Sequence, residues 1–562
     1  MRGILRTATA RRAACATCAG ALLFASCRTA SRSSSGAASA PEFPTSTAVG
    51  ATPPGAAHLE PQPLHPPVLL PARTPLERFQ DSVDSMLNEP QFRNAHWGVL
   101  VVDPVHGDTL YSHNADKLFM PASNQKIITS AVGLTTLGAD YRWRTPVELR
   151  GVQHGTTFTG DIVVRGQGDP SWSDAMHAGL AFDAFAPVSA ALRARGISRI
   201  VGGVVPEGDV FSDEPYGFGW AFDDFDFGYS APVDELLFNE GFFTVTIRAG
   251  TRVATLLTAT TLPTTTYPTI IVRAVARERG DTVGIRRPLA AAWDSTASAV
   301  VVSGTLPLGD SARFELAYRH PNDAAVAALR EALVASGIAV VARAKISAIH
   351  LRGPARTARR EGLGRAAPLR APDTLVVLES PPLREVLKRL DKPSQNQMAE
   401  LLFKTASLKQ TGFARADSAR AVVERQMQAW GVPAELIAVR DGSGLSRHDY
   451  VAPRALVRVL DAMRQSPAFS AFYEAMPIAG VDGTIANRMK GTPAANNVHA
   501  KTGTVDKARS LSGYVTTADG QLLLFSFLCN NFSVSTRAVE RVQDAIAVQL
   551  ASMQLRSART PQ

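Results

Sequence analysis

Cysteine is scarce in this chain, with four in 562 residues. Cys15, Cys18 and Cys27 lie in the first 27 residues, and Cys529 stands alone in the rest, inside an apolar run. A single thiol excludes an internal disulfide in the body of the protein. Its apolar setting reads as a small buried hydrophobe rather than a nucleophile. Cys15 and Cys18 have metal-ligand spacing, but no second pair exists, so a structural zinc site is excluded. The apolar stretch Ala13–Ala25 is too short and too rich in small residues to span a bilayer comfortably. Also missing is any dense basic run interleaved with aromatics. The net charge of +9 is spread along the chain and is not a nucleic-acid signature. No internal repeat is present.

What is present begins with ample material for a core, 45% hydrophobic residues. The length suggests three or four folded units at roughly 150 residues each. Residues 1–27 read as a signal peptide. Arg2, Arg6, Arg11 and Arg12 precede the apolar stretch, and no acid interrupts it. Leu23-Phe24-Ala25-Ser26-Cys27 resembles a bacterial lipobox, with Phe24 in place of the usual aliphatic residue. Two readings stay open, a lipidated Cys27 that attaches the protein to a membrane, or an ordinary secretory signal with an incidental cysteine. Residues 28–75 are Ser-, Ala- and then Pro-rich, with ten prolines from Pro41 to Pro75. Such a segment cannot bury enough apolar surface to fold and is expected to be an extended tether. The expected location is outside the cytoplasm, in the periplasm or cell envelope.

The body opens with an amphipathic helix near Leu76–Leu87, a buried strand at Trp97–Asp103 and a second strand at Thr109–His113. Strand-like runs then dominate: Thr156–Val164, Phe242–Ala249, Thr269–Ala276, Ala299–Leu306 and Arg313–Tyr318. Helical patterns interrupt near Ala181–Arg195 and Asp323–Ala335. Basic Arg352–Arg370 reads as an exposed loop. Helices follow at Pro382–Leu390, Asn396–Leu408, Ala416–Trp430 and Arg454–Arg464. Three strands close the pattern, His499–Thr504, Ser510–Thr517 and Gln521–Asn530, the last two joined through Asp519-Gly520, and then a helix near Thr536–Leu550. The expected organisation is a catalytic domain in two parts, 76–145 and 371–553. Between them lies a β-rich insertion, 146–370, of two subdomains, and 554–562 is a tail.

Three short motifs carry the chemistry. Ser123-Asn124-Gln125-Lys126 opens an apolar-periodic helix that Gly138 can stop, so Lys126 lies one turn from Ser123. A serine hydroxyl is a weak nucleophile until a base takes its proton. A lysine can serve if burial or a second cation lowers its pKa. Ser394-Gln395-Asn396 follows a turn and begins a helix. Ser394 can relay a proton to a leaving nitrogen, and Asn396 can bond Lys126 and a substrate amide; a plain helix cap is the structural alternative. Lys501-Thr502-Gly503-Thr504 lies in a strand. Lys501 offers a cation for a carboxylate and would depress Lys126. Gly503 leaves room for a substrate backbone, and the N–H groups of Thr504 and Ser123 would form an oxyanion hole. His499 and His448 lie near these motifs, but the lysine mechanism needs neither. Asp441 is expected to shape its glycine-rich loop, with a substrate contact as the alternative. No cofactor and no metal are implied.

Taken together and in this order, the motifs resemble those of the serine penicillin-binding proteins and β-lactamases. The 271 positions from Ser123 to Ser394 resemble the low-molecular-mass class C penicillin-binding proteins, the D-alanyl-D-alanine carboxypeptidase/endopeptidase family. Gly166–Pro170, Gly217–Tyr229 with Trp220, Asp223, Asp224 and Tyr229, Asp441–Ser446 and Ala479–Thr484 strengthen that likeness. The resemblance implies an α+β fold, a transpeptidase-like domain with an antiparallel sheet flanked by helices and a large β-rich insertion. It implies Ser123 as acyl-ester nucleophile, Lys126 as proton acceptor and Ser394 and Asn396 as the rest of the relay. Lys501 would bind the terminal carboxylate, with Thr502, Gly503 and Thr504 lining the strand. Gln395 stands where many relatives have Asp and is expected to point away from the centre. The implied function is D-Ala-D-Ala carboxypeptidase action on peptidoglycan stem peptides, with cleavage of cross-links left open and β-lactams as covalent inhibitors. A β-lactamase and a non-catalytic wall-binding protein are the alternatives.

Overall fold

The computed structural model describes residues 73–555 apart from 209, 282–287, 297 and 343–372. The expected signal, Cys27 lipobox, most of the tether, the Arg352–Arg370 loop and the tail from 556 lie outside the described residues. Its first helix, Pro75–Leu87, starts where local chemistry demands. Thr74 accepts from the Glu77 N–H, the Glu77 carboxylate reaches back to the Thr74 N–H, and Pro75 occupies the first turn. Phe79, Val83 and Leu87 are its buried stripe.

A five-stranded antiparallel sheet organises the catalytic half. Its order is His499–Val505, Ala508–Thr516, Leu522–Asn530, His96–Asp103, Asp108–His113. Helices cover both faces, which explains why Leu522–Asn530 is almost uniformly apolar yet still a strand. Leu524 and Leu528 face a core built with the helices Gln125–Leu137, Leu383–Asp391, Asn396–Thr411 and Pro453–Arg464. Leu523, Phe525, Phe527 and Cys529 face the other core, with Pro75–Leu87 and Thr536–Ser552. The period-two alternation survives, but both halves of it are buried. Cys529 is a core side chain, and burial drives its thiol pKa upward.

A second sheet runs Ala339–Val341, Arg199–Val201, Thr157–Arg165, Arg144–His154, Asp373–Glu379, with Val204–Glu207 also on Thr157–Arg165. Smaller sheets and the helices Ala186–Ala194 and Pro321–Ala335 complete its core. Strands not expected from sequence include Arg144–His154, Val204–Glu207 and Asp373–Glu379. The last pairs with Arg144–His154, so by pairing it joins the second sheet, although the sequence reading put it beyond 371 with the catalytic part. Two expected strands are each broken in two. Thr269–Ala276 becomes Thr269–Val272 and Val275–Arg277, which pair in different sheets. Ala299–Leu306 breaks at Gly304, whose φ of 97° favours glycine and whose Cβ would strike the Pro288 carbonyl.

Candidate active site

Ser123 sits in a single 3₁₀ turn, Ala122–Asn124, and the α-helix starts at Gln125. Ala122 is buried with φ 48°, a left-handed backbone for a residue with a side chain. Three contacts pin this turn to the sheet. The Asn124 amide donates to the Lys501 carbonyl at 2.7 Å, the Ser510 hydroxyl donates to the Pro121 carbonyl at 2.7 Å, and the Met120 N–H donates to Asn530 Oδ1 at 2.7 Å.

Lys126 is fully buried, and its three donors are all used. It donates to Ser123 Oγ at 2.9 Å, Asn396 Oδ1 at 2.6 Å and the Ser443 carbonyl at 2.7 Å. Burial lowers its pKa to about 8, against the opposing pull of Asp441, Asp391, Glu400 and Asp449. Of the two causes the sequence allowed, burial is thus the principal one. The Asn396 amide cannot flip, because its nitrogen donates to the Tyr229 carbonyl at 2.7 Å.

Ser394 has φ 69°, another side-chain-bearing residue in the left-handed region. Its hydroxyl accepts from Lys501 Nζ at 2.8 Å. Lys501 is buried, donates also to the Thr502 carbonyl at 3.0 Å, and has its pKa lowered by burial and then by the cation of Lys126. Two buried lysines therefore divide the second motif, one holding Asn396 and the other Ser394. The helix cap is Gln395. Its side chain accepts from the Met398 N–H at 2.8 Å and donates to the Glu240 carbonyl at 3.2 Å, away from the centre.

The strand of the third motif lies at the edge of its sheet. Its far side is bridged at the start, where His499 pairs with Ile478 and the Ala500 N–H donates to the Pro477 carbonyl at 3.0 Å, and among the described residues no strand flanks it beyond that. Its alternation separates two jobs. Lys501 and Gly503 face inward, while Thr502 and Thr504 line an open cavity of about 900 Å³. A Cβ on Gly503 would sit 2.4 Å from the Pro121 carbonyl and 3.0 Å from the Ser123 nitrogen. The close approach of the nucleophile turn demands the glycine, a reason the sequence reading did not name. Ser123, Ser394 and Asn396 line the same cavity, whereas Lys126 and Lys501 stand behind its wall.

Other lining residues carried weaker signals. Asp224, Tyr229 and Thr484 lie in stretches singled out in the sequence, and Arg447 directly follows one. Thr484 accepts from the Thr502 hydroxyl at 2.7 Å. Asp441 caps its loop: its carboxylate accepts from the Gly444 N–H at 2.7 Å, the Ser446 N–H at 2.7 Å and Trp220 Nε1 at 2.9 Å. His499 stacks on Tyr473 at 3.9 Å, and His448 packs near Phe218; neither lines the cavity. Among the described residues, no group of three or more His, Cys, Asp or Glu side chains is placed to hold a metal, and no helix is long and apolar enough to cross a membrane.

This geometry has counterparts. A D-alanyl-D-alanine carboxypeptidase of Actinomadura sp. (strain R39) is 30% identical over 501 residues, 85% of each chain. D-alanyl-D-alanine carboxypeptidase DacB of Haemophilus influenzae is 24% identical over 438 residues, 75% of this chain and 82% of that one. The crystal structure of penicillin binding protein 4 (dacB) from Haemophilus influenzae superposes with a TM-score of 0.68 at 22% identity, covering 84% of this chain and 99% of that one. It supports the fold, an antiparallel sheet flanked by helices with a large β-rich insertion. The sequence profile of one family runs through both halves of the catalytic sheet and everything between them, residues 79–553, and on that match the chain belongs to the D-Ala-D-Ala carboxypeptidase 3 (S13) family.

Proposed function

We propose that this protein is a serine D-Ala-D-Ala carboxypeptidase that hydrolyses peptidoglycan stem peptides through an acyl-enzyme on Ser123. The observation that carries the reading is the hydrogen-bond set of Lys126. As an ammonium it has three N–H donors and three acceptors. As a neutral amine it keeps two N–H groups, which Asn396 Oδ1 and the Ser443 carbonyl fix. Its electron pair is then left facing Ser123 Oγ, the only one of the three that carries a proton to give.

In this reading Ser123 attacks the penultimate D-Ala carbonyl as Lys126 takes its proton. The Ser123 and Thr504 N–H groups stabilise the oxyanion, an element worth about 2.7–4 kcal/mol per donor. The leaving nitrogen is protonated through Ser394, whose hydroxyl Lys501 holds. The Thr502 and Thr504 hydroxyls meet the terminal carboxylate, with the Lys501 charge behind the strand. An extended peptide can lie along the open edge of that strand. Water then releases the acyl-enzyme. β-Lactams acylate the same serine; a structure of the Haemophilus influenzae penicillin binding protein 4 is complexed with a β-lactam. Export, with Cys27 bearing a lipid, belongs to the same proposal and rests on the sequence of residues 1–75.

The test is incubation with labelled penicillin and with purified muropeptides. Wild-type protein is expected to take up label and to convert pentapeptide to tetrapeptide; Ser123→Ala is expected to do neither. Labelling that survives the substitution sinks the assignment. Rapid turnover of bound penicillin would favour a β-lactamase, and no loss of D-Ala from pentapeptide a non-catalytic wall-binding protein.

A further inference from the structure

Lys126 is aimed by a backbone carbonyl, and that carbonyl is itself held in place. Ser443 lies in the loop Asp441–Ser446, squeezed between two helices. A Cβ on Gly444 would sit 1.8 Å from the Ala122 carbonyl, and one on Gly442 would sit 2.6 Å from Phe403 Cβ. The Thr129 hydroxyl donates to the Gly442 carbonyl at 2.6 Å from the nucleophile's helix. From the opposite side comes Glu400, one turn after Asn396. It accepts from the Gly442 N–H at 3.0 and 3.1 Å, one to each carboxylate oxygen, and from the Ser443 N–H at 2.8 Å. No motif includes Glu400, and it does not line the substrate cavity. A buried carboxylate is costly, and this one spends its hydrogen bonds on two consecutive backbone N–H groups.

We propose that Glu400 is a positioning residue for the acylation base: its carboxylate clamps the Gly442–Ser443 backbone so that the Ser443 carbonyl takes one N–H of Lys126 and leaves the amine's electron pair to Ser123. The inference rests on the function proposed above. It is more specific than core packing, because the carboxylate holds the N–H of the same residue, Ser443, whose carbonyl fixes the base. Its charge acts in addition. Glu400 is one of the buried carboxylates that favour the protonated form of Lys126. The charged groups around it are Asp441 from the loop, Lys126 across it, Lys404 on its own helix with the Asp213 that pairs with it at 2.6 Å, and Glu214 and Arg440 on the same cavity. Burial and then Asp441 push its own pKa up, while the Ser443 and Gly442 hydrogen bonds and Lys404 oppose them. A second cavity of about 240 Å³, lined by Glu400, Lys404, Asp441 and Trp220, shares no lining residue with the cavity at Ser123.

The test is the rate of acylation of the full chain by labelled penicillin across roughly pH 6 to 10, with the final labelled fraction counting folded sites. Glu400→Gln keeps the shape and one accepting oxygen but not the charge. Its acidic limb is expected to move to lower pH by roughly half a unit or more, since a negative charge near the base is gone. Its plateau rate is expected to fall about tenfold, and that of Glu400→Ala by about 10²-fold or more, with the Gln variant closer to wild type. An acidic limb unmoved in Glu400→Gln, whatever its melting temperature, overturns the inference while wild-type labelling of Ser123 upholds the function. Absence of wild-type labelling overturns both. If Glu400→Ala does not fold, Glu400→Gln alone decides.

Discussion

Lys126 is where residue-scale chemistry is decided. Burial holds its pKa at about 8, so the neutral, proton-accepting form is the minor one at neutral pH and the major one above. The sign follows directly: acylation should accelerate close to tenfold per pH unit below about 8 and level off above it. A stopped-flow pH–rate profile with labelled penicillin measures this, and a flat profile would mean another group is the base. Lys126→Met should lower the acylation rate by about 10²–10⁴-fold, the usual contribution of a general base, while the protein still folds, because a methionine fills the buried channel without leaving a charge there. The Ser-x-x-Lys spacing was legible in the sequence because a helical turn is local. Which of burial and a second cation lowers the pKa was not, since desolvation depends on how distant segments close over the amine.

At the scale of elements, Gly503 lets the backbone of the edge strand His499–Val505 lie directly against the backbone of the turn at Ser123. Gly503→Ala would force a Cβ to within 2.4 Å of the Pro121 carbonyl and 2.0 Å of Ser510 Oγ. The strand must retreat, and the Thr504 N–H retreats with it. The expected result is a loss of about 10²–10³-fold in acylation, the size seen when one oxyanion donor is removed, with a modest fall in melting temperature; wild-type rates in the variant would disconnect the strand from the oxyanion site. The two loops singled out in the sequence brace the motifs, and the second also meets the third motif where Thr484 accepts from the Thr502 hydroxyl. Asp441–Ser446 stands behind Lys126. Ala479–Thr484 clasps the residues before Ser394, through the Lys392–Asp482 ion pair at 2.6 Å and the Thr484 N–H to the Lys392 carbonyl at 3.0 Å. Sequence pattern located the helices and strands of the catalytic half closely, because their periodicities are strong. It missed Arg144–His154, where a proline and charged residues blur the alternation, and it joined strands that Gly304 separates.

At the scale of the whole molecule, the β-rich region is fastened to the catalytic helices beside the site. Tyr229 orients Asn396, Gln397 donates to the Ala231 carbonyl at 3.1 Å, Trp220 bonds Asp441, and Arg389 forms a two-pronged pair with buried Glu240 at 2.6 and 2.8 Å. Removing Arg389 strands a buried carboxylate. Arg389→Met should cost about 3 kcal/mol, the low end for a broken buried pair because the guanidinium is one-third exposed. It should also slow acylation, since the same contact surface carries Gln395 and Asn396. Thermal unfolding and penicillin labelling of one preparation measure both; an unchanged melting temperature would show that the pair does not fasten the two regions. The sequence by itself determined the three motifs, their order, the sheet and helices that bear them, and the family they resemble, because those features rest on local spacing and periodicity. Only the tertiary structure decided that Lys501 holds Ser394 from behind the strand, that Gly503 serves the nucleophile turn, and that Glu400 stands behind the base. Each depends on which segments, hundreds of residues apart, bury one another's polar groups, and burial is a property of the folded chain and not of any stretch of it.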